Sequence, residues 1–304
     1  GILIMGHLDT VHPIGALAST HVFRREGDAV FGPGIYDMKA GSYMGFYALQ
    51  HFVREGRRTR LPVRVLIVEE EEVGTPTSRA ATEAAARKAK YVQDMEPARD
   101  GGKCVTARKG WGRFDMTITG RASHAGSRPQ DGRSALRELA RQILDLEAMT
   151  DYDKGISVVV GMANGGSAPN VVPAHATATI DLRVPPGIDV DAVVKRVLQR
   201  TPVDPDCRIE VTGGINRPPY EKNAGIAALF EHAKACAAEI GFALEDTPLT
   251  GGVSDGNFPA ALGIPTLDGL GADGRGAHAL DEQISYASLV PRAQLLVRLL
   301  ETLT

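Results

Sequence analysis

The sequence predicts an α/β protein interrupted by a second, smaller unit, and three observations carry that expectation. Short apolar runs alternate with helix-period segments over residues 1–108. Near Gly110 the rhythm changes to strand-like alternation. After Pro218-Pro219 the alternation of strand and helix resumes. A chain of 304 residues has room for such a division, because a single core seldom grows past about 250–300 residues.

Taken in order, Gly1-Ile2-Leu3-Ile4-Met5 reads as a buried strand. It begins at a bare terminus, which predicts that upstream residues are absent from this sequence. Residues 39–55 carry Met44, Tyr47, Ala48 and Phe52 at helical spacing and stop at Gly56. Residues 63–68 suit a buried parallel strand. Residues 78–89 are alanine-rich and helix-favouring, with Ser78 as the expected N-cap. Residues 91–95 form another short strand.

The interrupting unit reads as strand 111–119, helix 132–148, strands 156–162 and 175–184, helix 189–200 and strand 207–212. That order is β-α-β-β-α-β, the ferredoxin-like arrangement. A helix over 223–240, a strand over 264–267 and an amphipathic helix to about residue 300 complete the chain. The expected division is therefore 1–108 with 218–304, and 109–217 as an insert.

Composition narrows the function classes. The net charge of -3 gives no reason to expect nucleic acid or an anionic membrane surface as partner. No apolar run approaches the roughly 18 residues of a membrane span. Cys104, Cys207 and Cys236 are odd in number and widely spaced, and read as buried or free thiols in a reducing compartment. The cytoplasm is the expected location, although any targeting segment would lie in the absent N-terminal portion.

Five segments carry candidate chemistry. His7-Leu8-Asp9 ends the first strand, and a carboxylate two residues after a His can orient the ring for metal binding. Gly32-Pro33-Gly34 leads to Asp37 at a helix start, where capping alone would explain an Asp. Residues 65–68 run into Glu69-Glu70-Glu71-Glu72, whose mutual repulsion is relieved if cations sit among them. Glu96 follows another strand, and His278 lies in a glycine-rich loop before the last helix. Each has an ordinary explanation alone. Together they fall on one expected sheet edge and offer only His and carboxylate donors, a mixture suited to Zn, Mn or Co.

The HLDTV, GPGIYDMKAG, EEVGT, DMEP and GAH segments resemble the zinc-dependent glutamate carboxypeptidase, acetylornithine deacetylase and succinyl-diaminopimelate desuccinylase family, in order and over essentially the whole chain. GGVSDGNFPAALGIPTLDGLG favours the glutamate carboxypeptidase group. The resemblance implies a zinc-peptidase-type mixed sheet flanked by helices, with the ferredoxin-like insert serving as a dimerisation or lid domain. It also implies two zinc ions, for which cobalt or manganese can substitute. Asp37 would bridge them, His7 and Glu96 would complete one site, and Glu72 and His278 the other. Glu71 would be the general base, and Asp9 would orient His7.

In the insert, His124 of Ser123-His124-Ala125-Gly126 resembles a His that reaches a partner subunit's site and polarises the scissile carbonyl. Asn170 and Arg183 resemble substrate-contacting positions, Arg183 gripping an α-carboxylate. A cis peptide bond between Asp37 and Met38 is implied as well. The expected substrates are small peptides or N-acyl amino acids, cut before a carboxylate-bearing residue. The alternatives are a deacylase of the acetylornithine or succinyl-diaminopimelate type and a catalytically silent metal-binding module. His12, His21, His51, His175 and His232 match no motif and read as structural or surface residues.

Overall fold

A computed structural model describes residues 1–304 and divides them into two compact units, Gly1–Arg108 with Tyr220–Thr304, and Lys109–Pro219. The first unit opens with β1 (Ile2–His7), β2 (Arg24–Glu26), β3 (Ala29–Phe31), α1 (Ala40–Arg54), β4 (Val63–Val68), α2 (Arg79–Ala86), β5 (Tyr91–Asp94) and β6 (Cys104–Val105). The second holds β7 (Gly110–Thr119), α3 (Ala135–Glu147), β8 (Ser157–Gly165), β9 (His175–Val184), α4 (Val190–Leu198) and β10 (Arg208–Arg217). The chain then returns to the first unit as α5 (Ala224–Ile240), β11 (Asp246–Thr247), α6 (Asn257–Ala261), β12 (Thr266–Leu267), β13 (Gly274–Arg275), β14 (Gln283–Ser285) and α7 (Tyr286–Thr302).

The mixture of strand directions expected of the first unit is divided between sheets. The main sheet, β12-β5-β1-β4, pairs in parallel throughout. Antiparallel pairing occurs in a separate small sheet, β13-β14-β3-β2. A parallel sheet needs cover on both faces, which is why β1 is apolar at successive positions rather than at alternate ones. Ile2 and Ile4 belong to one core with Met44, Ala48 and Phe52 of α1, Leu229 and Phe230 of α5, and Leu295 and Leu299 of α7. Leu3 and Met5 pack on the other face with Ala86 and Val92. Truncating Phe52, buried in the first of these cores, to Ala would cost about 3–5 kcal/mol.

The register sets the site. His7 pairs with Val68 across β1 and β4, and Met5 with Asp94 across β1 and β5. Three parallel strands therefore release His7, the glutamate run and Glu96 at one edge, the carboxyl end where such sheets gather ligands. Helix α1 reaches that edge because Gly41 lacks a side chain: a Cβ there would lie 1.9 Å from the Met95 carbonyl oxygen. Ser78 does not cap α2. Its hydroxyl donates instead to Glu70, whose carboxylate also accepts from the Thr77 and Ser78 amides, each at 2.6 Å.

The second unit has the order β10-β7-β9-β8 with every neighbouring pair antiparallel, the ferredoxin-like topology. Its strands alternate, burying Phe114, Met116 and Ile118 of β7 and Ala178, Ile180 and Leu182 of β9 with Leu139 and Leu146 of α3 and Val193 and Val197 of α4. Ser134 and Asp189 cap the two helices, accepting from the amides of Arg137 and Ala192. The short strands β2, β3, β13 and β14 and helix α6 are too brief to carry a periodic signal and were not expected.

Candidate metal centre

His7 is buried at the end of β1. Its Nδ1 lies 3.0 Å from the Asp9 carbonyl oxygen, which can only accept, so Nδ1 carries a proton and Nε2 is the nitrogen left to face a cation. That Nε2 faces Asp37 Oδ1 at 3.2 Å and Glu96 Oε1 at 3.7 Å. The other Asp37 oxygen faces a different imidazole, His278 Nε2, at 3.5 Å, and that nitrogen is 3.1 Å from Glu72 Oε2. Two trios thus share one carboxylate: His7, Asp37 and Glu96, and Asp37, Glu72 and His278.

These separations fit a cation in each trio. Ligand atoms about 2.0–2.1 Å from a tetrahedral zinc stand roughly 3.3 Å apart, and the four distances lie on either side of that value. The electrostatics agree. Burial and the neighbouring Asp37 charge push the carboxyls of Glu72 and Glu96 upward, Glu96 far so. Burial opposes charge on His7, yet hydrogen bonds to Asp37 and Asp9, with Glu96 and Glu71 nearby, carry it up to about 12. The hydrogen bond to Asp37, opposed by burial and aided by Glu72, raises His278 to about 8. Glu72 Oε1 is buried without a hydrogen-bond partner. Crowded carboxylates, imidazoles aimed into them and an orphaned oxygen form a donor set that suits zinc, manganese or cobalt.

Local structure holds these side chains. The Asp37–Met38 peptide bond is cis. His278 takes a left-handed backbone (φ 67°), uncommon for a residue other than glycine and a mark of a constrained site. Asp9 Oδ2 accepts from the Glu72 amide at 2.9 Å, so Asp9 fixes both His7 and the backbone of Glu72. Within the glutamate run the four carboxylates separate by role. Glu69 is exposed, Glu70 holds the turn before α2, Glu72 faces His278, and half-buried Glu71 acts on both His7 and Glu96 through its charge.

One residue that the sequence reading missed supports all of this. Glu282, fully buried, accepts from the amides of Gly34, Tyr36 and Asp37 at 2.7–2.9 Å, and pairs with His12 Nε2 at 2.7 Å. It fastens the loop that carries Asp37. Its partners lie roughly 250 positions away, so no local pattern announces it. His12 and His21 are likewise not scattered histidines, since both cluster with Glu282.

The remaining predicted residues lie in the second unit. His124 is exposed, and its Nδ1 accepts from the amides of Gly126 and Ser127 at 3.1 and 3.2 Å, leaving Nε2 as the protonated nitrogen. His124 bridges to Val171, and the Ala125 amide donates to the Asn170 carbonyl, so His124 and Asn170 share one loop edge. Arg183 is elsewhere. It pairs with Trp111 near the start of β7, while His175, at the other end of β9, pairs with Thr119 just before the His124 loop. Eight residues of extended strand put these two ends about 27 Å apart. Asp181 accepts from Arg183 Nε and Nη2 and from the Trp111 ring nitrogen, fixing the guanidinium.

No helix is long and apolar enough to cross a membrane. Comparison with known proteins gives carboxypeptidase G2 of Pseudomonas sp. (strain RS-16), 33% identical over 96% of this chain and 71% of that protein. Among solved structures, a tripeptidase from Staphylococcus aureus superposes with a TM-score of 0.78 at 22% identity, over 99% of this chain and 80% of that one. An M20 family metallo-carboxypeptidase from Sulfolobus solfataricus gives 0.74 at 19% identity, over 98% and 84%. These likenesses show the fold. The pattern of peptidase family M20/M25/M40 matches residues 3–302, and the chain belongs to that family of metallopeptidases.

Proposed function

We propose that the protein hydrolyses the amide bond before a C-terminal carboxylate-bearing residue, as a glutamate carboxypeptidase does, using two zinc-type cations. The observation that supports this most is the sharing of Asp37 between two His/carboxylate trios. Similarity to carboxypeptidase G2 favours the carboxypeptidase reading over a deacylase.

His7, Asp37 and Glu96 would hold one cation, and Asp37, Glu72 and His278 the other. Such a pair would supply Lewis acidity and a water that ionises near neutral pH. The rest falls to the chain's own groups. The Glu71 carboxylate takes a proton from the attacking water and delivers it to the departing amine nitrogen. Asp9 keeps the His7 proton on Nδ1, so that Nε2 stays a donor of electrons. His124 offers its Nε2 proton to the developing oxyanion. Asn170 contacts the substrate, and Arg183, its plane fixed by Asp181, grips the free carboxylate.

His124 and Arg183 cannot meet one small substrate from the same chain when the strand between them spans about 27 Å. A homodimer resolves this: Arg183 comes from one protomer, and His124 and Asn170 from its partner, through the insert of residues 109–217.

The test is hydrolysis by the zinc-loaded chain of a matched panel: N-acyl and peptidyl glutamates, the same acyl groups on other C-terminal residues, and N-acetylornithine. Preferential release of C-terminal glutamate supports the proposal. Preference for N-acetylornithine, or no turnover of any member by protein carrying its metals, overturns it.

A further inference from the structure

A second cluster of metal-ligating groups lies behind the Asp37 loop. His12, His21 and Glu282 each bring one donor atom to within 4.8 Å of the others. The two imidazoles meet edge to face with centroids 4.6 Å apart. His21 is 1% exposed, and neither of its ring nitrogens has a hydrogen-bond partner. A His12–Glu282 hydrogen bond accounts for two of the three groups but leaves this third one unexplained. Buried polar atoms without partners are rare, and each calls for a physical reason.

We infer that His12, His21 and Glu282 form a further divalent-cation site of the zinc type, separate from the Asp37-bridged pair. The donor set is two imidazoles and one carboxylate, a combination that holds zinc with a position left for water. Glu282 suits the role. Its Oε1 accepts from the amides of Tyr36 and Asp37, while its Oε2 accepts only the Gly34 amide besides its contact with His12. Deprotonation of His12 Nε2 frees one direction on that oxygen, and a cation between them asks the 2.7 Å contact to open to about 3.3 Å. His21 then gains the partner it lacks. Hard cations such as calcium or magnesium, which prefer an oxygen shell, are disfavoured by the two nitrogens. The site bears on the catalytic loop, because the carboxylate that closes it also holds the Asp37 amide.

His12, His21 and Glu282 are distinct from the residues of the proposed pair, and zinc alone serves as the probe. The chain is stripped with a chelator, equilibrated with zinc, desalted and analysed for metal, in four forms. The native chain is expected to hold about three ions and His21→Leu about two. A chain with Glu72→Gln and Glu96→Gln is expected to keep about one, which addition of His21→Leu removes. His12→Phe gives the same comparison should His21→Leu not fold, as judged by near-UV circular dichroism. A loss of one ion on changing His21 or His12, in either background, supports the site. Equal metal content with and without the change overturns it. The total in the native chain separately tests the Asp37 pair, so the two readings fail independently.

Discussion

Glu71 and Glu72 are adjacent, yet the surroundings give them different work. Glu72 faces His278 at 3.1 Å, whereas the charge of Glu71 acts on both His7 and Glu96. Glu71→Ala is accordingly expected to retain both ions of the pair and to lower turnover by about two to four orders of magnitude, the usual contribution of a positioned base. Metal analysis beside steady-state kinetics checks this, and a variant keeping a tenth of native activity would show that Glu71 is not the base. Candidate ligands could be read from the sequence because chemistry restricts them to a few residue types at strand ends. The division of labour inside the run could not. Whether a glutamate binds metal or fastens a turn, as Glu70 does for Thr77 and Ser78, depends on how the chain folds back, and four identical letters carry no trace of it. The same holds for Glu282, whose value comes from amides far away in the sequence.

At the scale of elements, legibility followed length and periodicity. Helix α1 and strand β9 were plain because each repeats its apolar period over many residues, whereas β2, β3, β13 and β14 exist only through pairing with one another. Helix α3 shows what an element can hold beyond its pattern. Its buried Glu138 accepts from Gln142 and from the amides of Val203 and Asp204, fastening the segment after α4. Burial works against that charge, but the three hydrogen bonds outweigh it and the carboxyl is held below its ordinary value. A lowered folded value means stability that is fully present above the unfolded value of about 4.3 and lost as pH falls through the folded one. The second unit should therefore lose stability below about pH 4.3, and Glu138→Gln should flatten that dependence while costing about 1–3 kcal/mol near neutrality. Denaturant unfolding of the two forms from pH 7 to pH 3 measures both effects. Parallel pH profiles would show that another group governs the acid response.

For the whole molecule, two separate cores mean that metal should stabilise one unit and not the other. Every residue of the two proposed metal trios lies in the unit of residues 1–108 and 220–304. Chelation should lower the melting transition of that unit, removing about 2.7 kcal/mol of stability for each ion of the pair relative to zinc at a hundredfold excess over Kd. The transition of residues 109–219 should stay in place, and scanning calorimetry with and without chelator distinguishes the two. A stronger test uses the proposed exchange of His124 between protomers. Glu71→Ala and His124→Ala chains should each be inactive as homodimers, one lacking its base and the other the donor lent to its partner. Mixed at equal concentration and allowed to exchange, they should yield heterodimers with one intact site, made of Glu71 from one chain and His124 from the other. Random pairing places half of the dimers in that class with one of two sites working, so activity should recover to about a quarter of native. Activity that stays at the sum of the two homodimers after exchange, verified by mass labelling, would mean that each chain supplies its own His124. The distance along β9 would then have to be closed in some other way.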